Sequence, residues 1–467
     1  MISLFNTNRM ITEEEKLGVI PKFKEVASKS MKIILPAMIE TFFVGLISMM
    51  DTMMVGGLGL DAIASVSLTN QPVYITICFF VALNIGLTAV VSRAKGANNQ
   101  NLANRALKQV ILLDLFLIAI LTFICITFAR PILFFCGARS DTIDNAVAYF
   151  RIVSVGLVFN GLKLSITAAH RGVGKTKISM ITNITASIVN VGLNYILING
   201  KFGIPALGVE GAALATVIGH YVAFIISICS IYHSNGYLCF TFKGFFKFDK
   251  EVLLPLKNVG LSALAEQLLM RAGFLIFAIM IASLGTEKQG IHQVCLSINS
   301  LMFTLADGFA IGAAAVVGHR LGEKRKDLAK VYCRVIQVIS VSTALVLFTF
   351  VVIFREWLVG LYIDVELEPN AYEYASKLMI VASIMLIPQN IQWVLTGVLR
   401  GSGDTKFTAM TSFISVTVVR PLFSFLLCYG FGFGLFGAWF GMVLDQLIRM
   451  TLNMWRFKSG KWAKESL

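Results

Sequence analysis

The chain of 467 residues is 57% hydrophobic and only 14% charged, with a formal net charge of +14. Soluble domains carry about 25% charged residues, so a soluble enzyme is a poor fit and a membrane-embedded chain is expected. A β-barrel is excluded by pattern, since barrel strands alternate in and out over about ten residues and the apolar runs here are apolar on every face.

In chain order, the first 31 residues carry acids and no apolar core before Lys32, so no cleavable signal peptide is expected. Twelve apolar runs follow, near 34–56, 72–92, 108–128, 147–168, 178–199, 208–232, 256–284, 292–317, 331–354, 375–397, 407–429 and 434–454. Each is about 20 residues or longer, enough to cross a bilayer core of about 30 Å as a helix. The expected fold is an all-α integral membrane protein of twelve helices in two six-helix lobes. The expected division is an N-terminal cytoplasmic segment 1–31, a lobe 32–233, a cytoplasmic linker 234–255, a second lobe 256–456 and a cytoplasmic tail 457–467.

The basic excess raises nucleic acid as a partner, but its placement argues against it. Segments such as "SRAKGANNQNLANRALK" and "HRLGEKRKDLAK" alternate with connectors such as "YGFGFGLFG" that carry no Lys or Arg. About 29 basic residues fall on one side and about 5 on the other, which predicts cytoplasmic termini and an even number of helices; the expected location is the plasma (inner) membrane. Anionic lipid headgroups are their natural partners. The eight cysteines are scattered without a C-x-x-C, so neither disulfides nor zinc is expected.

"AAHRGVGKTK" (168–177) looks like the end of a phosphate-binding loop. A Walker loop needs a glycine five positions before its G-K-T triplet, and that position is Ala169. The pattern R-G-x-G-x-T-K returns at "VLRGSGDTKF" (398–407), where Asp404 replaces the lysine. A phosphate cradle would not discard its lysine, so both stretches read as the same turn between helices. Two more segments repeat in order, at an offset of about 226 residues: "VVSRAKGANNQNLA" with "VVGHRLGEKRKDLA", and "GVEGAALA" with "GLFGAWFG". Six helices per half is even, so the repeat is parallel, as in transporters whose lobes rock about a central cavity.

A charge at bilayer depth costs about 2.5–3.5 kcal/mol on insertion scales, so each one needs a reason. Asp51 lies deep in the first run, and Glu40, eleven residues earlier, falls within about 20° of the same face. Shifted by the repeat, Glu40 lands on Glu266, whereas Asp51 lands on Phe277. An acid kept in both halves serves architecture or both sides of a cavity; an acid in one half points to a specialised site. Asn190 and Asn194 share a helix face, as do Thr216 and His220. Carboxylate, amide and hydroxyl oxygens together suit a hard cation such as Na⁺, while the same desolvated carboxylate can carry a proton instead. Interhelical hydrogen bonding is the structural alternative for the two asparagines. Glu266, Asp307, Gln389 beside Pro388 and Arg420 beside Pro421 are the polar points of the second half, and with Glu40 they are the candidate substrate-cavity residues. Asp114, His170, His220 and His292 read as packing residues.

At "DTMMVGGLG", "NYILINGKFGIPALGVEGAALAT", "HQVCLSINSLMF", "VVGHRLGEKRKDLA" and "VLRGSGDTK" the chain resembles the multidrug and toxic compound extrusion (MATE) family from Lys32 to Phe457. The resemblance implies a twelve-helix antiporter exporting organic cations and drugs against inward Na⁺ or H⁺, with no cofactor beyond the coupling ion. Family cation sites map onto Asp51, Asn190, Asn194 and Thr216. The chain departs from some members at Gln389, where they carry an acid, and at Met270, with Glu266 one turn earlier; this shifts weight to Asp51. The expected partners are cationic small molecules and membrane lipids, without nucleic acid, for a chain expected to be monomeric. A lipid or polysaccharide flippase of the same superfamily is the alternative and would be expected to carry a more basic cavity. A membrane enzyme is disfavoured, since no H-E-x-x-H motif or pairing of acids near a histidine occurs.

Overall fold

A computed structural model describes residues 6–56, 58, 60–137, 142–232, 236–240 and 245–463. The first half of the chain forms α1 (Phe23–Gly56), α2 (Leu60–Gly96), α3 (Gln100–Thr127), α4 (Ala129–Phe135), α5 (Ile143–Val155), α6 (Leu157–Val173), α7 (Thr176–Asn199) and α8 (Gly208–Tyr232). The second half forms α9 (Lys250–Ala282), α10 (Thr286–Gly322), α11 (Lys326–Gly360), α12 (Pro369–Gly401), α13 (Thr405–Ser412), α14 (Arg420–Phe425) and α15 (Gly434–Lys458).

Among the described residues, ten helical segments are long and apolar enough to cross a membrane, and α5 with α6, bent by 46°, makes an eleventh. The twelfth expected run is α15, whose 25 residues include Asp445 and Arg449; it is long enough to cross, and those charges pair inside the protein. Several helices overrun the predicted spans. α2 and α10 have 37 residues each, about 55 Å at 1.5 Å per residue, more than the hydrocarbon core needs. The run expected as one regular helix at 407–429 is instead α13 and α14 with π-helical turns at Phe413–Val419 and Leu426–Gly430. Pro421 brings no N–H and clashes with the preceding turn. The widened turn at Val416 fits against α9 because Gly273 has no side chain; a Cβ there would overlap the Val416 carbonyl.

The chain forms two compact units, Ile39–Gly260, and Leu261–Leu467 joined by the segment up to Met38. In the second unit, Met10, Ile11, Val26 and Ile34 pack into one apolar cluster with Tyr332, Phe457 and Trp462. In the first unit, residues 236–240 and 245–249 lie against α3: Asn104 Oδ1 accepts from Cys239 N at 2.9 Å, and Gln109 donates to the Lys247 carbonyl at 2.7 Å. Large apolar side chains such as Phe123, Val346 and Ile353 are two-thirds exposed, as befits surfaces facing acyl chains.

The repeated R-G-x-G turn has the same construction twice. Gly174 (φ +87) and Gly403 (φ +78) take the left-handed conformation that a side chain disfavours. Each closes a helix: Lys175 N bonds to His170 O and Asp404 N to Leu399 O, both at 2.8 Å, a C-cap of the Schellman kind. The preceding glycines serve close approach. A Cβ on Gly172 would stand 3.1 Å from Val91, and one on Gly401 would overlap the carbonyl of Ala314. Gly397 lies four residues before Gly401 and meets Ala310 likewise, so α12 and α10 approach through a small-xxx-small seam.

Candidate functional site

The two repeated glutamates build one cage each. In the Ile39–Gly260 unit Glu40, 2% exposed, accepts from Arg171, from Ser179 Oγ at 3.0 Å and from Asn183 Nδ2 at 2.6 Å. In the other unit Glu266, 1% exposed, accepts from Arg400 Nη2 at 2.9 Å, Thr408 Oγ1 at 2.8 Å and Ser412 Oγ at 3.2 Å. Arg171 and Arg400 are the arginines of the two R-G-x-G turns, and the three donors correspond at an offset of about 229 residues. The turn thus presents an arginine that fastens α1 to α6 and α7, and its twin fastens α9 to α12 and α13. Three donors, one of them cationic, offset part of the desolvation cost of a buried carboxylate. Of the two roles open to a repeated acid, these contacts favour architecture over a substrate cavity.

Asp51 is different. It is half-buried on α1, and one carboxylate oxygen accepts from Asn194 Nδ2. Asn194 is fully buried and its Oδ1 has no hydrogen-bond partner. One turn away, Asn190 Nδ2 donates to Thr216 Oγ1 at 3.3 Å, and Thr216 donates to Ala212 O at 3.0 Å. The four residues expected to handle a coupling cation therefore stand as two hydrogen-bonded pairs on α1, α7 and α8. Tyr149, buried on α5, is a neighbour of both Thr216 and Asp51; nothing in its sequence context singles it out. The donors on offer are oxygens, and among the described residues no group of three His, Cys, Asp or Glu side chains comes together. That set suits a hard monovalent ion or a proton rather than a transition metal.

The second unit has no acid at the corresponding place. Phe277 stands there, and the Arg420 guanidinium lies 5.8 Å from its ring centroid and 5.0 Å from that of Phe274. Arg420 is 6% exposed and donates to Asp445 Oδ2 through Nε at 3.1 Å and Nη2 at 2.5 Å. Arg449 approaches the other Asp445 oxygen at 3.6 Å and donates to Ser415 at 3.0 Å. Arg420 is thus bound within its own bundle. Gln389 is 1% exposed with Oε1 unpartnered, while Asp307 is half-buried on α10. The expected packing histidines do pack: His170 meets Ser230 Oγ at 2.8 Å, and His292 lies edge-on to Phe277 and Trp439. Asp114 is fully buried, with neither carboxylate oxygen hydrogen-bonded.

Among the buried charged residues, Asp445, Arg449 and Lys163 stand outside the expected set. Asp445 and Arg449 were visible as an i, i+4 pair inside the last apolar run. Lys163 was visible inside the fourth. It is 7% exposed, with Arg171, Glu40 and His220 as its charged or titratable neighbours.

Long apolar helices around buried, mutually paired ionisable side chains define an all-helical, multi-pass membrane protein. The MatE family profile matches residues 36–196 and 263–426, and the chain belongs to that family of membrane transporters. It is 27% identical over 447 residues to a Thermotoga maritima protein named probable multidrug resistance protein NorM, covering 95% of this chain and 94% of that one. It is likewise 27% identical to the uncharacterized transporter YisQ of Bacillus subtilis, covering 92% and 94%. Among solved structures, an outward-facing MATE family transporter of the MOP superfamily matches with a TM-score of 0.87 at 19% identity, over 93% of this chain and 97% of that one. A MOP superfamily transporter from Pyrococcus furiosus, described as having a binding pocket of reverse polarity that suggests a different function, matches with a TM-score of 0.87 at 20% identity and the same coverage. The shared fold is the twelve-helix, two-lobe transporter fold.

Proposed function

We propose that the protein is an antiporter of the plasma membrane, with both termini cytoplasmic, that exports organic cations and drugs by alternating access in exchange for Na⁺ or H⁺. The observation that carries this reading is the pairing of Asp51 with Asn194, an amide whose own oxygen is buried and unsatisfied. A lone carboxylate at membrane depth is costly without a positive partner. A small cation held by Asp51, Asn194 Oδ1 and the Thr216 hydroxyl would neutralise it, and so would a proton on Asp51 itself. An organic cation competing for the same charge cannot bind together with that ion. Mutual exclusion at one carboxylate, repeated on each side of the membrane, is exchange. The multidrug resistance name of the Thermotoga maritima relative supports the same substrate class.

The test is ethidium efflux from cells expressing the protein. Asp51→Asn should abolish efflux at normal expression; retained efflux refutes the assignment. Proteoliposomes with a sodium gradient or a pH gradient imposed separately then identify the coupling ion. One observation favours a second reading, a lipid or polysaccharide flippase: Lys163 is a buried base in the unit that holds Asp51. Ethidium export driven by neither gradient, with movement of a labelled anionic lipid instead, would select it.

A further inference from the structure

A cavity of 230 Å³ lies within the second unit, lined by the 3₁₀ turn Thr7–Met10, the first turns of α11 and the end of α15. Four cationic side chains face it, Arg9, Lys330, Arg334 and Lys458, against one carboxylate, Glu15. Glu15 is committed to Lys330 at 2.6 Å. Among the described residues, Arg9, Arg334 and Lys458 carry no ion pair.

The wall is built rather than a loose tail. Met10 and Ile11 are buried beside Phe457, and Thr7 Oγ1 donates to Pro21 O at 2.8 Å. Leu17 N donates to Asp327 Oδ2 at 3.1 Å, and Arg325 Nη2 to Val19 O at 3.2 Å. Folding therefore holds three unpaired cations around one space, which repels unless an anion enters. Pockets for drug-sized ligands run about 300–1,000 Å³, so this one suits a small polar head and not a transported drug. Two arginine forks match phosphate oxygens in pairs, with lysines as point charges.

We propose that this cavity binds a phosphate group. Two sources share that chemistry, an acidic phospholipid headgroup and a soluble phosphate, and the apolar side chain of Phe457 on its wall would accept the glycerol carbons of the first.

The test uses the purified full chain in detergent, followed by thermal midpoint and native mass spectrometry with added phosphatidylglycerol, phosphatidylcholine or inorganic phosphate. Phosphatidylglycerol or inorganic phosphate should bind and raise the midpoint, and phosphatidylcholine should do neither. Binding of phosphatidylglycerol alone identifies the lipid source; binding of inorganic phosphate alone identifies the soluble one. Arg9→Gln with Arg334→Gln removes two unpaired cations and should weaken binding by about 30-fold. Glu15→Gln frees Lys330 and should tighten it, a gain that misfolding cannot mimic. The proposal is overturned if neither phosphate source binds the wild type, if phosphatidylcholine binds equally, or if the double variant binds as tightly as the parent.

Discussion

Two carboxylates on one helix illustrate how little residue type says about role. Glu40 and Asp51 both lie on α1, yet Glu40 is enclosed by Arg171, Ser179 and Asn183, whereas Asp51 has Asn194. Their substitutions should therefore separate cleanly. Glu40→Gln removes the charge opposite Arg171, whose side chain is 22% exposed. It should cost about 1.5–3 kcal/mol, the worth of a hydrogen bond to a charged group. The expected reading is a lower thermal midpoint in detergent, with ethidium efflux per folded molecule largely kept. Asp51→Asn should show the reverse, lost efflux at a nearly unchanged midpoint. Loss of efflux in both at equal stability would place Glu40 in the transport path. The repeat makes Glu40 and Glu266 legible as a related pair, and Asp51 as the odd one out. What encloses each is not legible, because Ser179 and Asn183 are over a hundred residues away in sequence and carry no motif. Lys163 is legible as a base inside the fourth apolar run, but its neighbours Glu40 and Arg171 are not.

At the scale of elements, glycine position decides helix spacing. The twelve runs and the two R-G-x-G turns can be read directly, since apolar length and left-handed caps are local properties. The α10–α12 seam is not local: "GVLRG" is an ordinary stretch until its Gly397 and Gly401 meet Ala310 and Ala314. A Cβ at Gly397 would overlap backbone, which yields less readily than a side chain, so Gly397→Ala should cost about 1–3 kcal/mol as overpacking. Gly192 on α7 has nothing within 4 Å of a built Cβ, and Gly192→Ala should leave the midpoint unchanged or raise it. Equal midpoints for the two variants would mean that the helices do not pack through glycine. The π-helical turns around Pro421 escaped the apolar pattern for a related reason: hydropathy reports where a helix lies and not how tightly it is wound.

At the scale of the whole molecule, two halves of common design have been specialised differently. Each keeps a glutamate cage, but the first half alone has Asp51 with its amide partner, and the second alone has Arg420 and Arg449 about Asp445. Removing one partner of a buried pair strands the other, at about 3–5 kcal/mol. Asp445→Asn should accordingly be among the most destabilising single changes in the second half, read as loss of folded protein on size-exclusion chromatography. An undisturbed elution profile would mean that the two arginines find other acceptors.

Met10, Ile11 and Val26 pack in one cluster with Phe457 and Trp462, so residues made early in synthesis rest against residues made long after them. Until the chain beyond residue 450 has emerged, that cluster lacks the wall that Phe457 and Trp462 supply, and the early apolar side chains stay partly open to chaperones and proteases. Maturation should therefore run on the clock of translation. In a pulse-chase experiment, an epitope next to Met10 should reach its full protection from protease only after synthesis passes Trp462; full protection of a chain stalled earlier would mean that the α10 and α11 side of the cluster suffices.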